Sequence, residues 1–270
     1  MPELPEVETT CRGISPHIKK KRVNNVIIRQ SSLRWPITRN LKQKLKDQTI
    51  NNIQRRAKYL LFATHTGHLI IHLGMSGSLR MVNNKVEPNK HDHVDIVFNK
   101  MTLRFHDPRR FGAVLWTSKD PLEHKLLKKL GPEPLLDEFT GKHLHQLAQG
   151  KKVNVKTFIM NAHIVVGVGN IYASESLFLS GIHPQRAAGR ISLKRYNLLA
   201  NNIKNVLSHA IDLGGTTLRD FVHEDGKPGY FANELNVYNQ TGKPCPVCKN
   251  PIKVRTISQR SSFFCVQCQH

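Results

Sequence analysis

Four cysteines near the C-terminus constrain this chain more than any other feature: Cys245-x-x-Cys248, sixteen intervening residues, then Cys265-x-x-Cys268. Two such knuckles at this separation suit one tetrahedral zinc ion. The stretch from Asn236 to the end has glycine and proline at its turns and no room for a separate core. Metal binding would therefore supply much of its folding energy. Pairing into two disulfides is the alternative. The acidic N-terminus has no apolar signal-peptide core, which argues against an oxidising compartment. The fifth cysteine, Cys11, falls at helical spacing with Val7, Ile14 and Ile18. It reads as a small core residue rather than a nucleophile.

A chain of 270 residues is long enough for two domains, and its charge says what they would meet. Lys plus Arg number 41 against 19 Asp plus Glu, a formal charge of +22. Such an excess points to a polyanion, with nucleic acid the first candidate and an anionic membrane surface its rival. No apolar run approaches the ~20 residues that span a bilayer. An intracellular protein is expected.

Short strand-like runs occupy Val23–Arg29, Tyr59–Ala63, His68–Leu73, Val94–Phe98, Thr102–Phe105 and Ala113–Trp116. Many short strands with turn signals between them predict a β-sandwich or barrel. Helical patterns take over from about Leu122, and Leu193 to Leu213 is the longest of them. Gly131-Pro-Glu-Pro134 resists helix and reads as a linker. The fold class is α+β: an N-terminal β-sandwich with flanking helices (1–130), a hinge (131–135), a helical domain (136–235) and a zinc ribbon (236–270). A groove between two basic domains would suit a duplex.

Several short motifs carry chemistry. The opening Met1-Pro-Glu-Leu-Pro-Glu-Val-Glu8 starts a helix, with Pro5 at its first position and Glu6 and Glu8 at the positive end of the dipole. That accounts for neither Pro2 nor Glu3. Gly167-Val-Gly-Asn170 lies between helical patterns, where Asn170 can cap a helix starting at Ile171 and exposed N–H groups can meet phosphate. A plain helical corner is the alternative. The nearby Lys151, Lys152 and Lys156 favour the anion. In Asp107-Pro-Arg-Arg-Phe-Gly112, Arg109 suits a base edge and Phe111 a wedge between base steps; Met75 in Gly74-Met-Ser-Gly77 is a second wedge, with core packing the alternative for each. Lys58 opens an apolar strand, as a solvated edge residue, a phosphate ligand or a group that tunes a nucleophile. His91 and His93 share a strand face without an evident third metal ligand. The polar, glycine-rich stretch 214–230 has the length of a functional lid or of a disordered segment.

Together, PELPEVE, Lys58, His72-Leu-Gly-Met-Ser-Gly77, DPRRFG, Val166-Gly-Val-Gly-Asn-Ile-Tyr-Ala-Ser-Glu175 and the cysteine finger resemble the formamidopyrimidine-DNA glycosylases, from one end of the chain to the other. The related endonuclease VIII group, which acts on oxidised pyrimidines, typically begins PEGPEI; Leu4 and Val7 favour the oxidised-purine enzymes. A binding-only zinc-ribbon protein would need no Pro2–Glu3 together with Lys58. The resemblance implies a helix-two-turn-helix domain, one structural Zn2+, and a monomer acting on double-stranded DNA with oxidised bases or abasic sites in the bacterial cytoplasm, at the nucleoid. It implies that Pro2, exposed by methionine removal, is the nucleophile, Glu3 the acid/base, Lys58 a catalytic lysine and Glu6 an organiser. His72, His91, Lys156, Asn170, Tyr238 and Arg260 would contact DNA. Met75, Arg109 and Phe111 would fill the gap left by a flipped base, and 214–230 would close over it. Many members carry an acidic residue where this chain has Asn161.

Overall fold

The computed structural model describes residues 2–216 and 231–270. The chain divides into two compact units, Met1–Lys128 with Gly214–Gly229 and Lys129–Leu213 with Tyr230–His270.

The first unit begins with α1 (Leu4–Ile18), whose apolar stripe of Val7, Cys11, Ile14 and Ile18 is buried. The helix begins one residue earlier than the sequence suggests. Glu3 is its N-cap, and Pro5 sits at the second position, where a missing N–H is still no loss. Eight strands follow: β1 (Asn25–Ile28), β2 (Asn52–Arg56), β3 (Tyr59–Ala63), β4 (His68–His72), β5 (Ser78–Asn83), β6 (Asp92–Val97), β7 (Met101–His106) and β8 (Ala113–Thr117). A five-residue helix, α2 (Leu41–Leu45), precedes β2. The strands form two antiparallel four-stranded sheets, ordered β1-β6-β7-β5 and β2-β3-β4-β8. One core joins them to α1, with Ile14, Phe62, Ile71, Leu103, Phe105 and Val114 among its members. The sandwich is as expected. β2 and β5 are not visible in the sequence: Asn52–Arg56 is a mostly exposed polar run, and Ser78–Asn83 mixes Leu79, Met81 and Val82 with polar residues.

Helix does not take over at Leu122. A single 3-10 turn at Pro121–Glu123 gives way to irregular chain until α3 (Gly141–Ala148), because Gly131, Pro132 and Pro134 interrupt it. The second unit continues with α4 (Val155–Ile159), α5 (Asn170–Leu179) and α6 (Leu193–Asp212), the longest helix, capped by Ser192. Tyr172, Tyr196, Leu199 and Ile203 fill its core. The hairpin β9 (Lys253–Ile257) and β10 (Arg260–Phe264) carries the cysteine knuckles and packs on α5. No helix among the described residues is long and apolar enough to cross a membrane.

Candidate active site and nucleic-acid interface

In the first unit the N-terminal residues are held, not frayed. Pro2 is buried and Glu3 is 2% exposed. Glu3 and Glu6 form a capping box, with the Glu3 N–H donating to Glu6 Oε2 at 2.8 Å. The other Glu6 oxygen accepts both the N–H and the hydroxyl of Thr216, each at 2.9 Å. Glu6 thus ties residue 216 to the helix start. The rest of the expected 214–230 loop, from 217 on, lies outside the described residues.

Lys58 does not open a strand. It sits in the two-residue turn joining β2 to β3, after Ala57 in the left-handed region (φ 54°). Arg55 fixes this turn to α1: its Nη1 donates to the Ala57 carbonyl at 3.0 Å and its Nε to Glu8 at 2.8 Å. Burial opposes ionisation of Glu8, but the bonds from Arg55 and Arg12 outweigh it and hold the carboxyl below its ordinary range. The helix bearing Pro2 and Glu3 and the turn bearing Lys58 are therefore braced as one body.

His72 ends β4 opposite Tyr59, their rings 4.7 Å apart. Burial and the charges of Lys58 and Arg34 push its imidazole down to about 4. Its Nδ1 accepts the Gly74 N–H at 2.9 Å, so the neutral ring carries its proton on Nε2, as a donor.

Two loops touch beside it. A Cβ on Gly74 (φ 69°) would lie 2.5 Å from the Phe111 carbonyl carbon and the Gly112 nitrogen, so only glycine allows the approach. The loops hold out Met75 and Phe111, 37% and 41% exposed, and the Arg109 guanidinium lies 4.9 Å over the Phe111 ring. Beneath them, Asp107 is wholly buried. Its carboxylate accepts from Ser76 Oγ (3.2 Å) in one loop and the Gly112 N–H (2.8 Å) in the other. Local sequence gives no sign of this role, because the Ser76 partner of Asp107 is 31 residues away.

His91 and His93 do not share a strand face. His91 precedes β6, and His93 sits in a register shift between Asp92 and Val94. The His91 carbonyl accepts from the Asp107 N–H, and His93 Nε2 lies 2.9 Å from the Asp107 carbonyl. Both histidines brace the Asp107 loop. Cys11 is buried, and burial with the nearby Glu8 charge raises its thiol to about 11, as suits an inert core residue.

In the second unit, Gly169 rather than Asn170 caps α5. Asn170 is the first helical residue, and its Nδ2 donates to the Ser261 carbonyl of β10 at 3.0 Å. Lys156 is 1% exposed rather than offered to solvent. Its ammonium donates to Ser262 Oγ (2.8 Å) and the Ser261 carbonyl (3.2 Å). Both side chains thus grip the strand that begins with the exposed Arg260, just after the left-handed pair Ser258 and Gln259. Tyr238 packs edge-on against Phe263 at 4.9 Å. Its N–H is one of four donors to the buried Glu175, with those of Val237 and both nitrogens of Asn236. Glu175, on α5, escapes sequence reasoning as a positioning residue because its partners lie about sixty residues on.

The sulfurs of Cys245, Cys248, Cys265 and Cys268 all lie within 4.8 Å of one another. A tetrahedral ion with Zn–S bonds of about 2.3 Å requires sulfurs roughly 3.8 Å apart, so the donor set fits zinc. Among the described residues this is the only group of three or more such side chains placed to hold a metal.

Three family models match the chain: the formamidopyrimidine-DNA glycosylase N-terminal domain over residues 1–114, the H2TH domain of the same enzymes over 130–222, and a zinc finger found in FPG and IleRS over 242–270. The formamidopyrimidine-DNA glycosylase of Nitrosococcus oceani is 55% identical, with all of both chains covered. The Lactococcus lactis FPG mutant G226P, solved with DNA containing Fapy-dG, superposes with a TM-score of 0.92 at 33% identity over 99% of each chain. The Lactococcus lactis Fpg bound to DNA with an abasic site gives the same values.

Proposed function

The chain belongs to the formamidopyrimidine-DNA glycosylase family, and from that we propose how its own residues carry out base excision and strand cleavage. It is a DNA glycosylase of base-excision repair with abasic-site lyase activity, and its finger holds one structural zinc ion. The lesions we assign to it are oxidised purines: 8-oxoguanine and formamidopyrimidines.

The observation that carries the reading is the buried Pro2–Glu3 dipeptide at the start of α1, braced through Glu8 and Arg55 to the Lys58 turn. Removal of Met1 leaves Pro2 with a terminal amine. Typical α-amines have a pKa of about 7.7–8.0, well below lysine at about 10.4, so a useful fraction is unprotonated near neutral pH. That amine attacks the sugar C1′ as the bond to the damaged base breaks. Glu3 protonates the opening deoxyribose at its ring oxygen. The resulting iminium acidifies the C2′ proton; its loss expels the 3′ phosphate, and a second elimination expels the 5′ phosphate. Lys58 stands at the same site as a cation near the damaged nucleotide.

The neutral His72, through its Nε2–H, would hold a phosphate beside the extruded nucleotide. In the second unit Arg260 and Tyr238 would do the same. Asn170 would meet a phosphate at the N-terminus of α5, while Lys156 sets the strand that carries Arg260. Met75 and Phe111 would fill the space of the flipped base, and Arg109 would read the orphaned cytosine. Base extrusion costs a few kcal/mol of unstacking, which these wedges partly restore. The enzyme would work as a monomer in the cytoplasm, at the nucleoid.

Borohydride trapping on a duplex with one 8-oxoguanine opposite cytosine, followed by peptide mapping, tests the reading. The expected result is a single adduct on Pro2. Tight binding with no adduct, once Met1 is shown to be absent, would remove Pro2 from the mechanism. Trapping only with oxidised pyrimidines would move the substrate class.

A further inference from the structure

Seven exposed cations gather at the end of α1 remote from Pro2 and Glu3. Lys19, Lys20, Lys21 and Arg22 follow the helix, and Lys42, Lys44 and Lys46 line the outer side of α2. The two runs are held together by backbone pairing. The Lys20 N–H donates to the Ile50 carbonyl at 2.7 Å, the Ile50 N–H to the Lys21 carbonyl at 3.0 Å, and the Val23 N–H to the Gln48 carbonyl at 2.8 Å. One acid answers them: Asp47, paired with Arg22 at 2.9 Å. From residue 17 to residue 48 the chain has ten Lys or Arg and that single carboxylate. Fifteen helical residues at 1.5 Å each put this face about 22 Å from the catalytic dipeptide.

A solvated basic surface, or simple compensation of helix C-termini, would account for one or two of these side chains. Two observations point further. Lys20 occupies a left-handed position (φ 62°) at the α1 terminus, where glycine or asparagine would be easier. And no large apolar side chain is exposed within 19–22 or 40–48, in contrast to Met75 and Phe111 at the catalytic loops. Stable protein interfaces centre on apolar or aromatic anchors, and amphipathic membrane anchors bury an apolar face. A duplex backbone needs only phosphate contacts.

We propose that this lysine face binds the phosphate backbone of a second DNA duplex while the catalytic site holds the first. Such binding is independent of base sequence. It lets the enzyme pass directly from one DNA segment to another during its search for lesions.

The test saturates the enzyme with a short duplex containing a reduced abasic site, then titrates a labelled undamaged duplex and follows the ternary complex by fluorescence. Wild type should form it at low salt. The combined variant Lys19→Gln, Lys21→Gln, Lys42→Gln and Lys44→Gln should weaken it by about tenfold or more. It should also flatten the log–log salt slope by about 3–4, at roughly 0.9 for each phosphate no longer neutralised. Base release from a single short damaged duplex should stay within about twofold of wild type. Lys20→Gly relieves the left-handed backbone, so it should leave stability unchanged or raised and still weaken the ternary complex. Absence of a ternary complex in wild type, or equal affinity in the variants, would overturn the proposal. So would capture of polyglutamate by these lysines without capture of DNA, which would assign the face to an acidic protein. Base release by wild type is read separately, so failure of the catalytic reading is distinguishable from failure of this one.

Discussion

At the residue scale, the chemistry rests on side chains whose surroundings set their state. Glu3→Gln keeps the size of the helix cap but cannot exchange a proton; binding of damaged duplex should persist while base release in a single-turnover assay stops. Normal release would take Glu3 out of the mechanism. His72 makes a pH prediction. Its folded pKa, about 4, lies below the 6.5 of a free histidine, so the unfolded chain takes up the proton first as pH falls. The stability tied to neutral His72 is full above about 6.5 and drains away as pH drops toward 4. Denaturant midpoints at pH 5 and pH 7 should therefore differ less in His72→Gln than in wild type. An unchanged difference would show that another group sets the slope.

At the element scale, buried polar side chains hold the loops and strands that present the exposed ones. Asp107 binds two loops through one carboxylate. Asp107→Leu removes both acceptors and leaves the Gly112 N–H buried without its partner, and should destabilise the first unit by about 1–3 kcal/mol in chemical denaturation. It should also weaken lesion binding, since Met75 and Phe111 lose their common anchor. A stable variant with normal binding would show that the loops set one another without it. Lys156→Met removes the ammonium between Ser261 and Ser262. By the same reasoning it should cost the second unit about 1–3 kcal/mol and speed zinc loss to a chromogenic chelator. Zinc release at the wild-type rate would separate Lys156 from the finger. The sequence marks Lys156 for DNA by its place beside Lys151 and Lys152 and by the family resemblance. Folding turns it inward, where β10 supplies its acceptors.

At the scale of the whole molecule, the two units depend on metal unequally. The first has a continuous apolar core of its own, whereas the finger is small and leans on four thiolates. Chelation should abolish lesion-specific duplex binding, because Arg260 loses its scaffold, while the circular-dichroism signal of the first unit's sheets survives. Preference for lesion over undamaged duplex that persists without zinc would make the finger dispensable. By itself the sequence determined the zinc knuckles, the helix that begins beside Glu3, the β-rich first half and the dipeptide Pro2–Glu3. Each of these is local: spacing, capping and period act over a few residues. Tertiary structure alone decided that Arg55 braces Lys58 to α1, that Asp107 joins two loops, that Glu175 receives residues 236–238 and that Lys156 faces inward. Those arrangements pair groups tens of residues or more apart in the chain, and a buried charge or donor takes its partner from whatever the fold brings within about 3 Å.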